Sequence, residues 1–182
     1  EAAKQDEALA ALTRKRAGLA ALPAFQLDDA VRSVAERAEA LARSEGEVRE
    51  WEKQQAKAAE SGMKSRAAAL ASELLAAHAG SAALVAEVAD ADGKMLQVVM
   101  DAVRASFAGP VFLAGAHDGR VALIAAVPKA EQGRVAAGKV IQEVAPLVGG
   151  KGGGRPDLAQ GGGTDAAGLA AALDRARALL TA

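Results

Sequence analysis

The 182-residue sequence predicts an α/β fold of the α+β kind: an N-terminal helical stalk or helical hairpin, then a small globular domain with a mixed sheet flanked by helices. Three observations predict it. Residues 1–78 are dense in charge and Ala and almost free of β-branched runs, which reads as a helical, coiled-coil-like region. Residues 79–182 alternate short apolar runs with helical periodicities, which reads as a globular α/β domain. Between the last two helical stretches lies GGKGGGRPDLAQGGGTD, in which nearly half the residues are glycine, so 149–163 reads as a glycine-rich loop.

In the stalk, Glu1 to Ala21 reads as a helix, and Leu22-Pro23 breaks it because a residue before proline is pushed out of the α region. Asp28 or Asp29 can cap the next helix. Val34, Leu41 and Val48 recur every seven residues, flanked by Val31, Ala38 and Trp51, a seam suited to an antiparallel hairpin or a coiled coil. Trp51 is expected to pack against another helix, of the same chain or of a partner. Gly46 and Ser61-Gly62 are points where the helix is expected to bend or stop. Leu70, Leu74 and Leu75 share one side of a further helical stretch, Met63 to Ala77.

In the globular part, Ala82 to Val88 reads as a strand and Asp90-Ala91-Asp92-Gly93 as a turn. Met95, Leu96, Val99, Val103 and Phe107 have helical spacing, giving a helix over Lys94–Ser106. Val111–Ala114 and Val121–Val127 are strands joined by His117-Asp118-Gly119-Arg120, which has hairpin turn chemistry. Gln132–Val148 reads as a helix, with Val148-Gly149-Gly150 its C-cap, and Thr164 or Asp165 caps a last helix to about Leu180. The first two strands should pair parallel across a helical crossover, and the third should return antiparallel to the second.

Composition limits function. Net charge is −1, so nucleic-acid binding requires a local basic patch. The globular half carries ten Lys/Arg and ten Asp/Glu, which favours weak, shape-dependent binding. Aromatics are only 2% of the chain, which argues against a single-strand base-stacking module. Cysteine is absent, excluding disulfides and cysteine-ligated zinc. With only His78 and His117, far apart, neither a zinc editing site nor a metallophosphoesterase site is expected, and both histidines read as structural. No apolar run approaches the roughly 20 residues of a membrane span, and no signal peptide is visible, so a cytoplasmic location away from membranes is expected. The start at Glu-Ala-Ala, without Met, suggests a fragment of a longer protein.

The glycine stretch is the sharpest functional feature. Consecutive glycines can turn backbone N–H groups outward together as an anion nest, and the helix start after Thr164 adds partial positive charge. Lys151 and Arg155 bring full charges, and Asp157 can orient Arg155. A flexible linker between two helices explains the composition equally well. The stretch is neither a P-loop, which ends in Gly-Lys-Ser/Thr, nor a dinucleotide fingerprint, which follows a strand directly. Lys129, Arg134 and Lys139 lie in sequence near it and complete a candidate RNA-binding set with Lys151, Gly152, Gly153, Gly154 and Arg155. Arg14-Lys15-Arg16 is a second basic run, read as a solvated helix face.

VGGKGGGRPDLAQGGGTD resembles the C-terminal domain of alanyl-tRNA synthetase, within the wider DHH-associated domain family, whose shared element is GGGR, here Gly152 to Arg155. GRVALIAAVPK and GRVAAGKVIQEVAPLVGGKGGGR resemble its globular part, and LAALPAFQLDDAVRSVAER the start of its stalk. The resemblance implies a noncatalytic segment of an ATP-dependent alanine–tRNA ligase. Such a segment contacts alanine-accepting tRNA and helps the aminoacylation and editing domains of its chain act on one tRNA; in some members it supports dimerisation. It implies no cofactor in this segment; ATP, magnesium and zinc belong to the parent enzyme. Two other readings stay open: an oligomerisation module whose dimer polar substitution at Leu41 and Val48 breaks, and a fragment of a DHH-class phosphoesterase.

Overall fold

The computed structural model describes Glu7, Ala10, Ala11 and residues 34–181. The expected break at Leu22-Pro23, the caps at Asp28 or Asp29 and the basic run at Arg14 lie outside these residues. The chain divides after Glu60 into two compact units.

The first described element, α1, runs over Val34–Ala77. It passes through Gly46, Ser61 and Gly62 without a break, so the helix does not stop at these points. Each glycine costs about 1 kcal/mol relative to Ala in a helix, and the surrounding Ala, Glu, Lys and Arg offset that. In the first unit, Ser44 and Val48 are buried and Trp51 is half-buried. His78 follows the last helical residue, and its Nδ1–H donates to Leu74 O at 2.9 Å, a helix-end role as expected.

The second unit holds a five-stranded sheet: β1 (Leu84–Glu87), β2 (Val111–His117), β3 (Arg120–Ala126), β4 (Lys151–Gly154) and β5 (Leu158–Gly163), in the order β1-β2-β3-β5-β4. β1 and β2 are parallel, joined through α2 (Gly93–Arg104); every other pairing is antiparallel. Asp92 caps α2 by accepting from Met95 N–H at 2.7 Å. Asp118 and Gly119, both with positive φ, form the two-residue turn of the β2–β3 hairpin and carry β2 three residues beyond its expected end.

Two further expectations are corrected. The helix expected over Gln132–Val148 is confined to α3 (Ala137–Val144) and continues as a 3-10 turn over Ala145–Val148. Pro146 lacks the N–H that an α-helix would use there. Gly149, with φ of 65°, then caps it. The glycine stretch is a β-hairpin, not a loop, and adds two strands to the sheet. Asp165 caps a 3-10 turn (Ala166–Gly168) by accepting from Ala167 N–H, and α4 (Leu169–Thr181) completes the unit.

The alternation of side chains along each strand divides the core between two faces. Phe112, Ala114, Val121, Leu123, Ala125 and Ala159 pack under α3 and α4, with Val140, Ile141, Val144, Ala172 and Ala176. Leu84, Leu113, Ile124 and Ala126 pack under α2 and the end of α1, with Leu96, Val99, Val103, Ala67 and Ala71. Among the described residues, every buried apolar side chain except Val48 lies between Ala67 and Leu180.

Candidate nucleic-acid interface

The glycine hairpin is held by the close approach of a helix. A Cβ at Gly152 would sit 2.5 Å from Ile141 Cγ2, and one at Gly161 would sit 2.8 Å from the same atom. Real Cβ atoms do not come so close, so α3 can lie on β4 and β5 at this distance only over glycine. At the tip, Arg155 N–H donates to Leu158 O at 3.0 Å, Val127 N–H to Asp157 O at 2.9 Å, and Ala137 N–H to Pro156 O at 2.9 Å. The tip is thereby tied to the end of β3 and the start of α3.

The anion nest expected from consecutive glycines does not form. Gly149 N–H bonds Pro146 O, Gly150 N–H bonds Ala145 O, and residues 151–154 pair with β5 as a strand. The helix start after Thr164 is likewise occupied, by the Asp165 cap. The charge at the hairpin comes from side chains.

Strand alternation places Gly152 and Gly161 toward α3, and Lys151, Gln160 and Gly162 toward the opposite face. There Lys151 and Gln160 are exposed. Arg155, whose side chain is 75% exposed, is held by Asp157 at 3.2 Å through both Nε and Nη2, so Asp157 does orient it. This fork geometry leaves the remaining guanidinium edge facing outward. Lys139, on the first turn of α3, is exposed and follows Gly138, where a Cβ would meet Gly154 O at 2.7 Å. Lys129 is exposed just beyond the Val127–Asp157 link. Lys151, Arg155, Lys139 and Lys129 therefore surround one hairpin. Arg134 is placed differently. It donates to Leu180 O at 2.9 Å and to Glu131 at 3.1 Å, which ties it to the end of α4.

Sequence reasoning missed Gln160 and the surroundings of His117. His117 Nδ1–H donates to Asp90 at 2.6 Å, joining the β1–α2 turn to the β2–β3 hairpin, and its Nε2 lies 3.4 Å from Asp118. The hydrogen bond to Asp90, and secondarily the charge of Asp118, hold the imidazole pKa above its ordinary value; the same hydrogen bond holds Asp90 below its own. The stabilisation that the histidine contributes is complete below the ordinary imidazole pKa and is lost as pH rises through the raised value. The stabilisation from the aspartate holds above the ordinary carboxylate pKa and is lost as pH falls through the lowered one. Thermal stability of the wild type is therefore expected to decline as pH rises from the ordinary imidazole pKa through the raised one. In His117→Asn that decline should flatten, a comparison made by melting both proteins across the neutral range.

Among the described residues, no three His, Asp or Glu side chains gather to share a metal ion. No described helix is long and apolar enough to cross a membrane.

The DHHA1 domain family matches residues 80–182. Over 96 residues the chain is 50% identical to an alanine–tRNA ligase of Neisseria meningitidis, an alignment covering 52% of this chain and 11% of that protein. The C-Ala domain of Aquifex aeolicus alanyl-tRNA synthetase superposes with a TM-score of 0.50 at 28% identity, covering 55% of this chain and 91% of that one. RecJ of Thermus thermophilus superposes with a TM-score of 0.53 over 82% of this chain and 20% of that one; at 17% identity this is a likeness of fold alone.

Proposed function

The chain belongs to the DHHA1 domain family, and from that membership we propose that it is a C-terminal tRNA-contacting segment of a cytoplasmic alanine–tRNA ligase. The observation that carries the proposal is the hairpin. One face is locked against α3, and Lys151, with Arg155 at the tip, is presented outward from the other side. A rigid backbone carrying exposed cations suits the phosphates of a folded RNA, whose shape is read through sugar and phosphate contacts. Gly152, Gly153 and Gly154 serve by holding the cations at a fixed height, Lys139 and Lys129 extend the positive rim, and Arg134 supports the fold.

In this reading, aminoacylation and editing reside in other domains of the parent chain, which supply the ATP, magnesium and zinc chemistry. This segment holds one tRNA for both. The identity with an alanine–tRNA ligase supports alanine-accepting tRNA as the partner. Oligomerisation through the seam at Val48 has less support, because Val48 is already buried within the single chain. The test is a titration of the full chain with an alanine-accepting tRNA transcript at two salt concentrations. Affinity should fall as salt rises; no binding at low salt contradicts the proposal.

A further inference from the structure

A cavity of about 600 Å³ lies at the β2–β3 hairpin, lined by Asp92, Gly93, His117, Asp118, Arg120 and Ala122. None of its lining residues belongs to the glycine hairpin. Ala122 pairs with Gly162, and Gly162 pairs with Lys151, so cavity and cation share one row of the sheet. All three point to the same face, by the alternation that puts Ile124 and Ala126 under α2. Two strand spacings, about 10 Å, separate Ala122 from Lys151, and the residue between them has no side chain.

The polar groups of the cavity differ in availability. Asp92 is occupied in capping α2, and Asp90, just outside, is occupied by His117. Asp118 is exposed and makes only a long 3.4 Å contact with His117 Nε2. Arg120 is exposed and has no ion-pair partner among the described residues; nor has Lys151. A carboxylate beside a free guanidinium, with a second free cation further along the same face, is complementary to a sugar hydroxyl flanked by phosphates. Carboxylates accept from ribose hydroxyls, and the 2′-hydroxyl is the group that distinguishes RNA from DNA.

We propose that this cavity receives a ribose of the bound RNA, with the Asp118 carboxylate accepting from its 2′-hydroxyl and Arg120 facing an adjoining phosphate, while Lys151 meets the backbone further along. The proposal rests on the tRNA-binding reading and adds to it a site that selects RNA. The Gln160 amide, exposed beside Gly162, can donate and accept along the same track.

The test uses the full chain with Asp118→Asn and Arg120→Ala. Asn adopts positive φ readily, so Asp118→Asn preserves the turn at φ 48°; melting curves check that both variants fold. Each is titrated with the tRNA transcript and with a DNA of the same sequence. The expected results are wild-type preference for the transcript, loss of that preference in Asp118→Asn, and a salt slope lower by about one in Arg120→Ala. Equal binding of RNA and DNA by the wild type overturns the ribose assignment. So do folded variants that bind as the wild type does while Lys151→Ala/Arg155→Ala loses affinity, and that outcome leaves the tRNA reading standing. Absence of wild-type binding to either nucleic acid at low salt overturns both proposals.

Discussion

Gly152→Ala is expected to destabilise the second unit sharply, whereas Gly153→Ala, one residue on, leaves it nearly unchanged. The two changes add the same methyl group to the same strand. At Gly152 it would lie 2.5 Å from Ile141 Cγ2 and 2.8 Å from Gln160 O, pressed also against Gly161 Cα. The backbone of β5 cannot yield to it without losing its pairing with β3. At Gly153 the nearest atom is Gln142 Nε2 at 3.6 Å, an ordinary contact at the end of an exposed, flexible side chain. Overpacking of this kind costs about 1–3 kcal/mol and occasionally more. For a unit of this size that corresponds to a fall of roughly 3–6 °C in Tm per kcal/mol. Thermal unfolding of the two variants beside the wild type measures the difference. Equal melting temperatures for both would refute the account of why these residues are glycine.

The second large effect is on binding. Lys151→Ala/Arg155→Ala is expected to keep the fold and lose much of the affinity for tRNA. Both side chains are exposed, and an exposed ion pair such as Arg155–Asp157 contributes less than about 1 kcal/mol. Melting should therefore shift little. In binding, each lost phosphate contact lowers the slope of log affinity against log salt by about one, so the double variant should bind more weakly at low salt and respond less to added salt. Loss of fold and loss of binding thus separate: Gly152→Ala disturbs the platform, and the double variant removes the charges from an intact one.

Much of the fold is legible in the sequence because its signals are local. Met95, Leu96, Val99 and Val103 announce α2 by their spacing, Asp118-Gly119 announces the β2–β3 turn, and Asp165 announces the last helical segment. The glycine hairpin carries no such signal. A strand is recognised by alternating side chains, and KGGG has one side chain in four residues. What makes it a strand is Ile141, on a different element, filling the space that side chains would occupy. The candidate site shows the same limit. Lys151 and Arg155 stand out beside the glycines in the sequence and stand out at the hairpin in the structure. Arg134 looks equivalent in sequence, yet its partner Leu180 O lies 46 residues along the chain. The His117–Asp90 contact spans 27 residues and is equally invisible in the sequence.

The central claim is that the outward face of the glycine hairpin meets tRNA phosphates. Its most direct measurement is an amide chemical-shift map of the full, 15N-labelled chain titrated with an alanine-accepting tRNA transcript. The account predicts that the shifts concentrate on Lys151 to Arg155 and on Gln160 to Gly162, and that they fade as salt is added. Shifts confined to α4 or to the exposed residues of α1, with the hairpin amides unmoved, would contradict it.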